Sequence, residues 1–599
     1  MRPIFALILL AACGGDDVGP SADSGTDAMI DDDGGADTGL GVSAVAAPLL
    51  PAWDCPDGWR RLSADDIAPG LHRCDPWPEV ETPCARHEVR MPGEPACHSV
   101  GTACPADGWP AGLPAAGVVY VRPGSAAPPD GSRDAPYSSA AAAVAAMPAG
   151  TTTLALSVGE YPTRIELDSP LIVRGACPEG TILTAAIRPF LADDAGRIRI
   201  ENLMMRGDLL GAMVIRDSSA EIRQVAFDNV TAFGARTDFI IEDVVARGRG
   251  TSTTDAAISI TDTSDVSISR VFVENAAGDG VFVWGNAAIS LTDVYVRGSV
   301  GTGMLLLGDT TLERAAVDHA TEVGILGVTR GRMTDVVVRD VDPYRGDSGG
   351  LILIGDWVID GMHVARVGNV GIVSSEGSLE LNDAIVEGPE DEVSLGRGIE
   401  IGVGGSFAGT RILVTDARDL GLLADHTGPI SLTDVTFRRI GENLLGGFGR
   451  CVHGQFDARI TIERALFEDC TEAAVTTSIN ATATLRDVHV RNIRPTGCDA
   501  ADAGCVGSAG IGLLAVAGGA IDAERFVIEG AALAGVIIVA EGEMDLRDGT
   551  IRDSPIGLNV QDPAYDLGRV TDRVVFSDNS LNLDSSALPL PAATPGASP

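Results

Sequence analysis

The feature that most constrains this chain is a short phrase that returns at nearly constant spacing. The stretch 289–328, ISLTDVYVRGSVGTGMLLLGDTTLERAAVDHATEVGILGV, contains the phrase twice, and Asp293, Arg314 and Asp335 follow one another at intervals of 21 residues. Apolar and polar residues alternate within each phrase, which is the period of a β-strand and not of a helix. A repeat of about 22 residues with this alternation predicts an all-β parallel solenoid rather than a helical or leucine-rich array.

The charges of the phrase change sign from one repeat to the next. Two positions alternate between acid and arginine, and they are occupied by Asp293, Arg314 and Asp335 and by Arg297, Asp318 and Arg339. In a parallel solenoid each residue lies about 4.8 Å above its equivalent, so identical charged repeats would stack like charges. We therefore interpret these residues as a structural charge ladder and not as catalytic acid–arginine pairs. The ladder is interrupted at Gly361 and Ala365, which take the two charged positions.

The residues before the repeats resemble the start of a known fold. The sequences VVYVRPG (118–124) and DGSRDAPYSSAAAAVAAMPAGTTTLALSVGEYPTRIEL (130–167) are similar to the entrance of right-handed parallel β-helix proteins of the pectate-lyase-like superfamily. The resemblance covers about residues 117–586 and implies a right-handed parallel β-helix, which we place at 113–586. The alanine-rich stretch 138–147 is expected to form a short helix that ends before Pro148 and covers the open end of the solenoid.

The first residues resemble a targeting signal. Arg2, an apolar run from Ile4 to Leu10 and the phrase LAAC are similar to the lipobox of bacterial lipoproteins. The resemblance implies that residues 1–12 are a signal peptide and that Cys13 is lipidated. It also implies an outer-membrane lipoprotein that faces the periplasm or the cell surface. Residues 13–51 begin rich in Gly, Asp and Ser and are expected to be a disordered acidic tether; residues 587–599 are expected to be a disordered tail.

Ten cysteines remain when Cys13 is set aside, and an even number favours disulfides. Five of the ten lie in a module at 52–112, whose internal pairing stays open; an odd number requires an outside partner, and Cys177 is the nearest. Two local bridges, Cys451–Cys470 and Cys498–Cys505, are expected further along. Histidines in the module would allow zinc, but the module has no CxxC motif, so we expect no metal. The cysteines expected in disulfides are Cys55, Cys74, Cys84, Cys97, Cys104, Cys177, Cys451, Cys470, Cys498 and Cys505.

Composition limits the partners. The net charge is −41 and all 43 basic residues are arginine, since the sequence has no lysine. A charge of this size repels nucleic acids and anionic polymers unless a cation bridges them. We therefore expect no nucleic-acid partner, a monomer and no cofactor, with Ca²⁺ as the alternative. Contact with a membrane is expected through the lipid anchor, because no stretch reaches the roughly 18 apolar residues of a membrane span.

Insertions in the repeat fall at one position of the coil. They occupy 340–350, 388–398, 439–450 and 494–505, after the ladder phrase and before a glycine-led strand. A constant position places these loops along one edge of the solenoid, and variable loops on a rigid scaffold tend to carry function. The candidate catalytic residues in or beside this edge are Asp347, Asp391, Arg397, Asp425 and His426.

Two phrases resemble pectin methylesterases. TDFIIED (237–243) is similar to the Asp-Phe-Ile strand of that family and LGRG (395–398) to its Leu-Gly-Arg phrase. The resemblance implies Asp238 as nucleophile or base and Arg397 as substrate clamp, although the family's Gly-Asp-x-Ala motif is missing. Lysine-dependent polysaccharide lyases are excluded because the chain has no lysine. The Asp-Pro-His-Asp motif of mannuronan epimerases and the Gly-His-Gly motif of polygalacturonases are also missing.

Two functions from different classes are compatible with these features. The first, which we favour, is a tethered β-helix that acts as a rigid scaffold or as a stalk that binds a glycan or a surface protein. The second is a carbohydrate-active enzyme, a polysaccharide lyase or hydrolase, with acidic and arginine residues on the insertion edge. A catalytic site would need several acids and an arginine within hydrogen-bond reach of one another.

Overall fold

The structure, a computed structural model, describes residues 45–588 apart from short internal stretches. Among those residues, no helix is long and apolar enough to cross a membrane. Cys13 and the loop cysteines Cys498 and Cys505 lie outside the described residues, as do Asp347 and Asp391. The internal stretches that are not described are 81, 127, 185–188, 208–212, 230–231, 237, 249–255, 343–347, 390–394, 445–446 and 498–508.

The chain begins with two small hairpins and a short helix. Strands β1 (Arg60–Ser63) and β2 (His72–Asp75) pair antiparallel, as do β3 (Glu88–Val89) and β4 (His98–Ser99). Helix α1 (Ala140–Ala145) is shorter than the predicted 138–147. It starts at Ser139, whose Oγ accepts a hydrogen bond from the backbone N–H of Ala142 at 3.2 Å, as an N-cap does. Ala140 and Ala143 of this helix are buried against the first coils.

The remaining strands form one parallel β-solenoid of about 17 turns with coils of about 23 residues. The predicted fold class is confirmed. The entrance strands are β5 (Val118–Val121), β6 (Thr153–Leu156), β7 (Gly159–Tyr161), β8 (Ile165–Leu167), β9 (Leu171–Gly175) and β10 (Thr181–Leu183). The middle strands are β11 (Phe190–Arg206), β12 (Met213–Asp228), β13 (Ala232–Ala235), β14 (Phe239–Arg247), β15 (Ile258–Ala276), β16 (Val281–Ser299), β17 (Met304–Ala320), β18 (Val323–Val341) and β19 (Gly349–Val367).

In the C-terminal half most coils divide into a short and a long strand. The strands up to the last coils are β20 (Val370–Ser375), β21 (Ser378–Glu387), β22 (Arg397–Ile401), β23 (Ser406–Thr415), β24 (Leu420–Asp425), β25 (Pro429–Arg438), β26 (Arg450–Gln455), β27 (Arg459–Glu468), β28 (Ala473–Thr477) and β29 (Thr482–Arg491). The final strands are β30 (Ile511–Ala515), β31 (Ala520–Glu529), β32 (Ala534–Ile538), β33 (Glu543–Arg552), β34 (Ile556–Val560), β35 (Asp572–Ser577) and β36 (Leu581–Asp584), with a 3₁₀ turn at Leu567–Val570.

Each coil has three faces, which the coil of β17 illustrates. Residues 304–307 form the first face, 309–313 the second and 315–318 the third. The corner between the second and third faces is Arg314, whose φ of 50° lies in the left-handed region; Asp293 and Asp335 have φ of 55° and 58°. The sequence pattern placed these residues in a flat strand, but the structure places them at a bend. A left-handed residue turns the chain sharply, and at this corner it leaves the charged side chain outside.

The core is aliphatic and continuous along the solenoid axis. Val294 pairs in register with Ala315, and Ala315 with Val336, so each inward side chain stacks on its equivalent in the next coil. These three residues are fully buried, as are nearly all inward positions of the coils. Stacking of branched side chains on a parallel sheet accounts for the Val- and Ile-rich strands of the sequence.

Residues 45–112, which we call the strap, lie along the outer side of the third face. Trp77 of the strap packs edge-on against Phe272 and Tyr295 of neighbouring coils. The backbone N–H of Leu49, within the segment expected as tether, donates to Asp434 at 3.1 Å. At the other end, the Asn202 carboxamide accepts from the Thr102 N–H at 2.9 Å. The strap therefore runs against the order of the coils, from the coil of Asp434 back to the first ones.

Disulfides close the strap and one coil of the solenoid. The strap contains the bridges Cys55–Cys74 and Cys84–Cys97, which the sequence left open. Cys104 is bonded to Cys177 of the solenoid, so the expected outside partner is confirmed. The predicted bridge Cys451–Cys470 is also present. The pair Cys498–Cys505 stays a prediction, since both residues lie outside the described part of the chain.

Candidate functional site

The charge ladder is a set of stacked ion pairs. Arg314 donates from Nε and Nη2 to the two carboxylate oxygens of Asp293 at 2.8 and 2.9 Å, and this contact raises the pKa of Arg314. In the second row Asp318 lies 3.9 Å from Arg297 and 3.3 Å from Arg339. Burial acts to raise the pKa of Asp318, but a hydrogen bond from His319 and the charge of Arg339 lower it to about 2. Asp318 is therefore anionic at neutral pH and has no proton to donate.

A further ladder lies at the corner after the third face, and sequence reasoning missed it. Arg366 donates from Nε and Nη2 to both oxygens of Asp340 at 2.6 and 2.7 Å. Arg439 makes the same two contacts with Asp416 at 2.6 and 2.5 Å. The sequence contained a signal for this ladder, because acid is followed by arginine within each of these two pairs. The insertions beside it hide the spacing.

The interruption at Gly361 and Ala365 is occupied by the strap. A Cβ on Gly361 would lie 2.5 Å from Nε1 of Trp53, whose indole N–H donates to Asp335 at 2.6 Å. Ala365 stacks on Arg339 in the second row, and Glu387, one coil further, accepts hydrogen bonds from Arg73 at 2.5 and 3.0 Å. The strap thus supplies an indole and a guanidinium where the coils leave small residues. The gap belongs to this intramolecular contact and not to a catalytic opening.

The described candidates of the insertion edge are paired or buried. Arg397 is 3 % exposed and donates to Asp419 at 2.6 Å and to Glu400 at 2.9 Å. Asp425 Oδ1 and His426 Nδ1 lie 2.6 Å apart, and the His426 ring stacks on Phe456 with 4.2 Å between centroids. Arg397 begins β22 and Asp425 ends β24, so the two groups lie at opposite ends of the first face.

A buried polar cluster under the insertion edge was not predicted. Arg450 and His453 are both fully buried, and Arg450 donates to Glu472 at 2.6 Å. Arg450 Nη1 lies 2.7 Å from His453 Nδ1, and Ser478 Oγ lies 3.3 Å from His453 Nε2. Because a guanidinium only donates, Nδ1 must accept and the ring proton sits on Nε2. Burial holds the pKa of His453 well below 6.5, so His453 stays neutral and cannot take a proton from Ser478.

Asp238 and Arg397, which the resemblance to pectin methylesterases joins, are far apart. Asp238 precedes β14, and Arg397 begins β22. The paired strands between them place Arg397 seven coils further along the solenoid. At about 4.8 Å per coil this is about 34 Å. The two residues therefore do not share a site.

Asp238 instead lies in an open groove at the corner between the first and second faces. The groove has two adjoining lobes of about 480 and 450 Å³, and Asp238 and Ser219 line both. Its lining spans five coils, from Gly196 to Ser290, which is about 19 Å along the axis. Each lobe is in the size range of sites that hold small ligands. Other side chains that line the groove are Asp217, Glu221, Arg236, Ile240, Asp262, Thr263, Asp265 and Ser267.

Two carboxylates of the groove are held ionised. The guanidinium of Arg236 donates twice to Asp217 at 2.6 Å and lowers the pKa of that carboxyl. Burial acts to raise the pKa of Glu221, but hydrogen bonds from Arg197 and Arg199 lower it. Neither group can act as a general acid at neutral pH, which requires a raised pKa. Both can accept hydrogen bonds from hydroxyl groups.

Neither group of potential metal ligands in the described residues fits a cation. Cys55, His72 and Cys74 are close together, but the two sulfurs are bonded to each other. Asp318, His319 and Asp340 also bring ligand atoms within 4.8 Å. Arg339 and Arg366 already bond to those carboxylates, and a metal ion would have to displace guanidinium groups of the same charge sign.

Comparisons with known proteins find similar solved structures at low identity. No family model and no curated protein matches the chain. A GH87 α-1,3-glucanase catalytic unit from Streptomyces thermodiastaticus is 12 % identical with a TM-score of 0.24; the match covers 63 % of this chain and 62 % of the glucanase. The mannuronan C-5 epimerase AlgE6 A-module of Azotobacter vinelandii is 13 % identical over 75 % of this chain and 94 % of the module, with a TM-score of 0.22.

The alginate lyase AlyGC of family PL6 is also similar. It is 8 % identical, with a TM-score of 0.23, over 72 % of this chain and 96 % of the lyase. At these identities and TM-scores the likenesses carry no argument about activity. The class that the fold itself defines is that of the parallel β-helix proteins.

Proposed function

We propose that this protein is an envelope-tethered β-helix scaffold that binds a glycan in the groove around Asp238. The proposal rests on the hydrogen-bonding and apolar side chains that line that groove. Carboxylates and hydroxyls accept hydrogen bonds from sugar hydroxyls, and Arg236 donates to sugar oxygens. The side chain of Ile240 is 38 % exposed and can cover the apolar face of a sugar ring.

The charge of the groove selects the kind of glycan. Asp217, Asp238, Asp262, Asp265 and Glu221 outnumber the arginines that line it. An acidic polysaccharide would add repulsion, which only a bridging cation such as Ca²⁺ would offset. A neutral or amino-sugar oligosaccharide is therefore the expected ligand.

Titration calorimetry with neutral gluco-oligosaccharides and chito-oligosaccharides tests the proposal. Replacing Asp238 by Asn removes a charged acceptor from both lobes and should weaken binding about tenfold, since hydrogen bonds to charged groups contribute about 1.5–3 kcal/mol. The matched control is Asp457→Asn, an exposed acid with φ of 62° at the same corner of a distant coil; it should bind like the parent. Equal weakening in both variants would contradict the assignment to the groove.

The same samples separate the scaffold from the alternative enzyme. Asp238 is the one carboxylate that lines both lobes among the described residues. If the groove were catalytic, incubation with these glycans would release reducing ends, and Asp238→Asn would stop the release. We expect binding without release.

The tether rests on the sequence. The phrase that ends at Cys13 supports lipidation, and the following Gly-Gly pair supports sorting to the outer membrane. Cys13→Ser should move the full-length protein from the membrane fraction to the soluble fraction. Retention of the variant in the membrane fraction would contradict the lipobox interpretation.

A further inference from the structure

The outer side of the first face carries an apolar surface of two columns over four coils, and one column continues into a fifth coil, where Ser375 takes the other position. In β16 to β20 the inward positions, such as Val283 and Leu306, are fully buried, so the residues between them face outward. Trp284 is 38 % exposed, and most of the others are half-buried. We call this set the apolar strip, and it consists of Phe282, Trp284, Leu305, Leu307, Leu326, Val328, Ile352, Ile354 and Val373.

The same columns of residues are covered further along the solenoid. The register continues from Val373 through Glu400 to Leu423 and His453, and Leu423 and His453 are 3 % and 0 % exposed. In the last coils Leu588 packs against a buried apolar cluster that contains the outward residue Ile537. The outward residues of the first face can therefore be buried, and in the C-terminal half other residues of the same chain bury them.

Carboxylates flank the strip on both long edges. Asp279, Glu322 and Asp342 precede the strands of the first face. On the other edge Asp309, Asp356 and Glu376 follow these strands together with Arg330, which pairs with Asp309, so acids remain in excess there. Burial raises the pKa of Asp279, and the charge of nearby Glu322 adds a smaller upward effect. A cation placed at this edge would relieve that repulsion.

The dimensions and charge argue against a second copy of the chain. Five coils at about 4.8 Å span about 19 Å, and the two columns are about 7 Å apart. The strip therefore offers a few hundred Å² at most, well below the roughly 800 Å² per partner of a stable dimer. Two copies would also bring acidic edges together on a protein of net charge −41. A single helix, about 10–12 Å wide with a rise of 1.5 Å per residue, covers the strip with about 13 residues.

We propose that the apolar strip is a docking surface for a cationic amphipathic helix of a partner protein. The apolar side of such a helix packs on the strip, and lysine or arginine side chains at its flanks reach the carboxylates on the two edges. The excess of acids at the two edges favours a cationic partner over an anionic one and makes the binding sensitive to salt. This surface lies on the first face, whereas the groove around Asp238 lies at the corner between the first and second faces and ends in the coil of β16, where the strip begins.

A fluorescent 14-residue peptide of leucine and lysine, with leucine spaced along one helical face, is the probe. Its binding to the full chain is measured by fluorescence anisotropy at low and high salt. A peptide with glutamate in place of lysine has the same apolar face and the opposite charge. We expect the lysine peptide to bind at least tenfold more tightly, and salt to reduce that difference.

Variants assign the binding to the strip. Leu305→Asp puts a charge in the middle of the strip and should weaken the lysine peptide at least tenfold. Leu581→Asp is the control, because Leu581 is 53 % exposed and lies in the final coil; it should bind like the parent. The Trp284→Phe variant should lose the change in tryptophan emission that the peptide causes in the parent.

Three results would overturn the proposal. Equal affinity in the parent and in Leu305→Asp would place the peptide elsewhere. A dimer in sedimentation velocity that Leu305→Asp dissociates would assign the strip to self-association. Competition by vesicles of phosphatidylcholine, lost in Leu305→Asp, would assign it to a lipid surface.

Discussion

The third face of the solenoid differs between its two halves, although the coils are built alike. Its outward middle position holds Phe272, Tyr295 and Val337 in the earlier coils, and these residues are buried under the strap. In the later coils the same position holds Leu466, His489, Val527 and Thr550, which are half-buried. The aromatic residues of this column thus lie under the strap, whereas the later half mixes aliphatic and polar residues. An aromatic residue at an outward position of a β-helix marks a contact surface and not an error in the strand pattern.

Removing an aromatic anchor of the strap should produce the largest difference between the two halves. Trp77 is 4 % exposed and packs against Phe272 and Tyr295. Trp77→Ala should weaken strap docking by about 3–5 kcal/mol, which is the usual loss of stability when a buried aromatic side chain is replaced by alanine. Hydrogen exchange of residues 45–112 measures the effect. Thr550→Ala, on the uncovered part of the third face, is the control and should leave exchange in the strap unchanged.

Acid should have the second-largest effect, because it should release the strap from the solenoid. Burial acts to raise the pKa of Glu387, but His363 and Arg73 lower it from 4.5 to about 2. The carboxylate therefore stabilises the folded protein fully above pH 4.5, and the part of this stabilisation that Arg73 contributes to strap docking is lost as the pH falls towards 2. Limited proteolysis of the strap between pH 5.5 and 2.5 measures the loss. Glu387→Gln should weaken docking at pH 5.5 and flatten the pH profile; an unchanged profile would contradict the assigned pair.

A single methyl group should distinguish a covered corner from an uncovered one. Gly361 and Gly530 have φ of 75° and 67°, but a Cβ on Gly361 would lie 2.5 Å from Trp53 whereas one on Gly530 would lie 3.3 Å from Asn492. Alanine at either position costs about 1–2 kcal/mol of backbone strain. Gly361→Ala should cost about 1–3 kcal/mol more because Trp53 must move. Urea unfolding of both variants gives the difference, and equal losses would show that Trp53 does not depend on this gap.

The smallest expected effect is a sign reversal in the ladder. Arg314→Glu would place three like charges in a row under the edge of the strap, and we expect a loss of about 1–2 kcal/mol. Arg525 makes the same double contact with Asp487 at 2.9 and 2.8 Å in the uncovered half. Because solvent screens it more, Arg525→Glu should cost about 0.5–1 kcal/mol. Thermal unfolding of the two variants ranks them, and a larger loss at Arg525 would contradict the role of the strap.

Most of the fold was predictable from the sequence because the signals that specify a solenoid come from residues that are close together in the chain. The interval between Asp293 and Arg314 gives the coil length, the alternation of apolar residues gives the strands, and the change of charge sign gives the parallel stack. Each of these signals involves residues that are one coil apart. The cap helix and the bridge Cys451–Cys470 followed from equally local patterns, whereas the bridge Cys104–Cys177 followed from the odd number of cysteines in the module.

The site was less predictable because its parts come together only through the stacking of coils. Asp238 was singled out for a resemblance that paired it with Arg397, and the structure places the two residues about 34 Å apart. The groove around Asp238 is built from Gly196 to Ser290 across five coils. No spacing in the sequence marks a concave corner. The buried cluster of Arg450, His453 and Glu472 likewise joins strands whose order the insertions obscure.

By itself the sequence determined the repeat, the parallel β-helix and the structural character of its charge ladder. The physical reason is that equivalent residues of successive coils must tolerate one another at about 4.8 Å. Only the tertiary structure decided what lies on the outside of the coils. It places the strap over Gly361 and Tyr295, it leaves Trp284 of the apolar strip 38 % exposed, and it opens the groove at Asp238. Outward residues have no repeat-mate that requires their identity, so their partners appear only when the whole chain is folded.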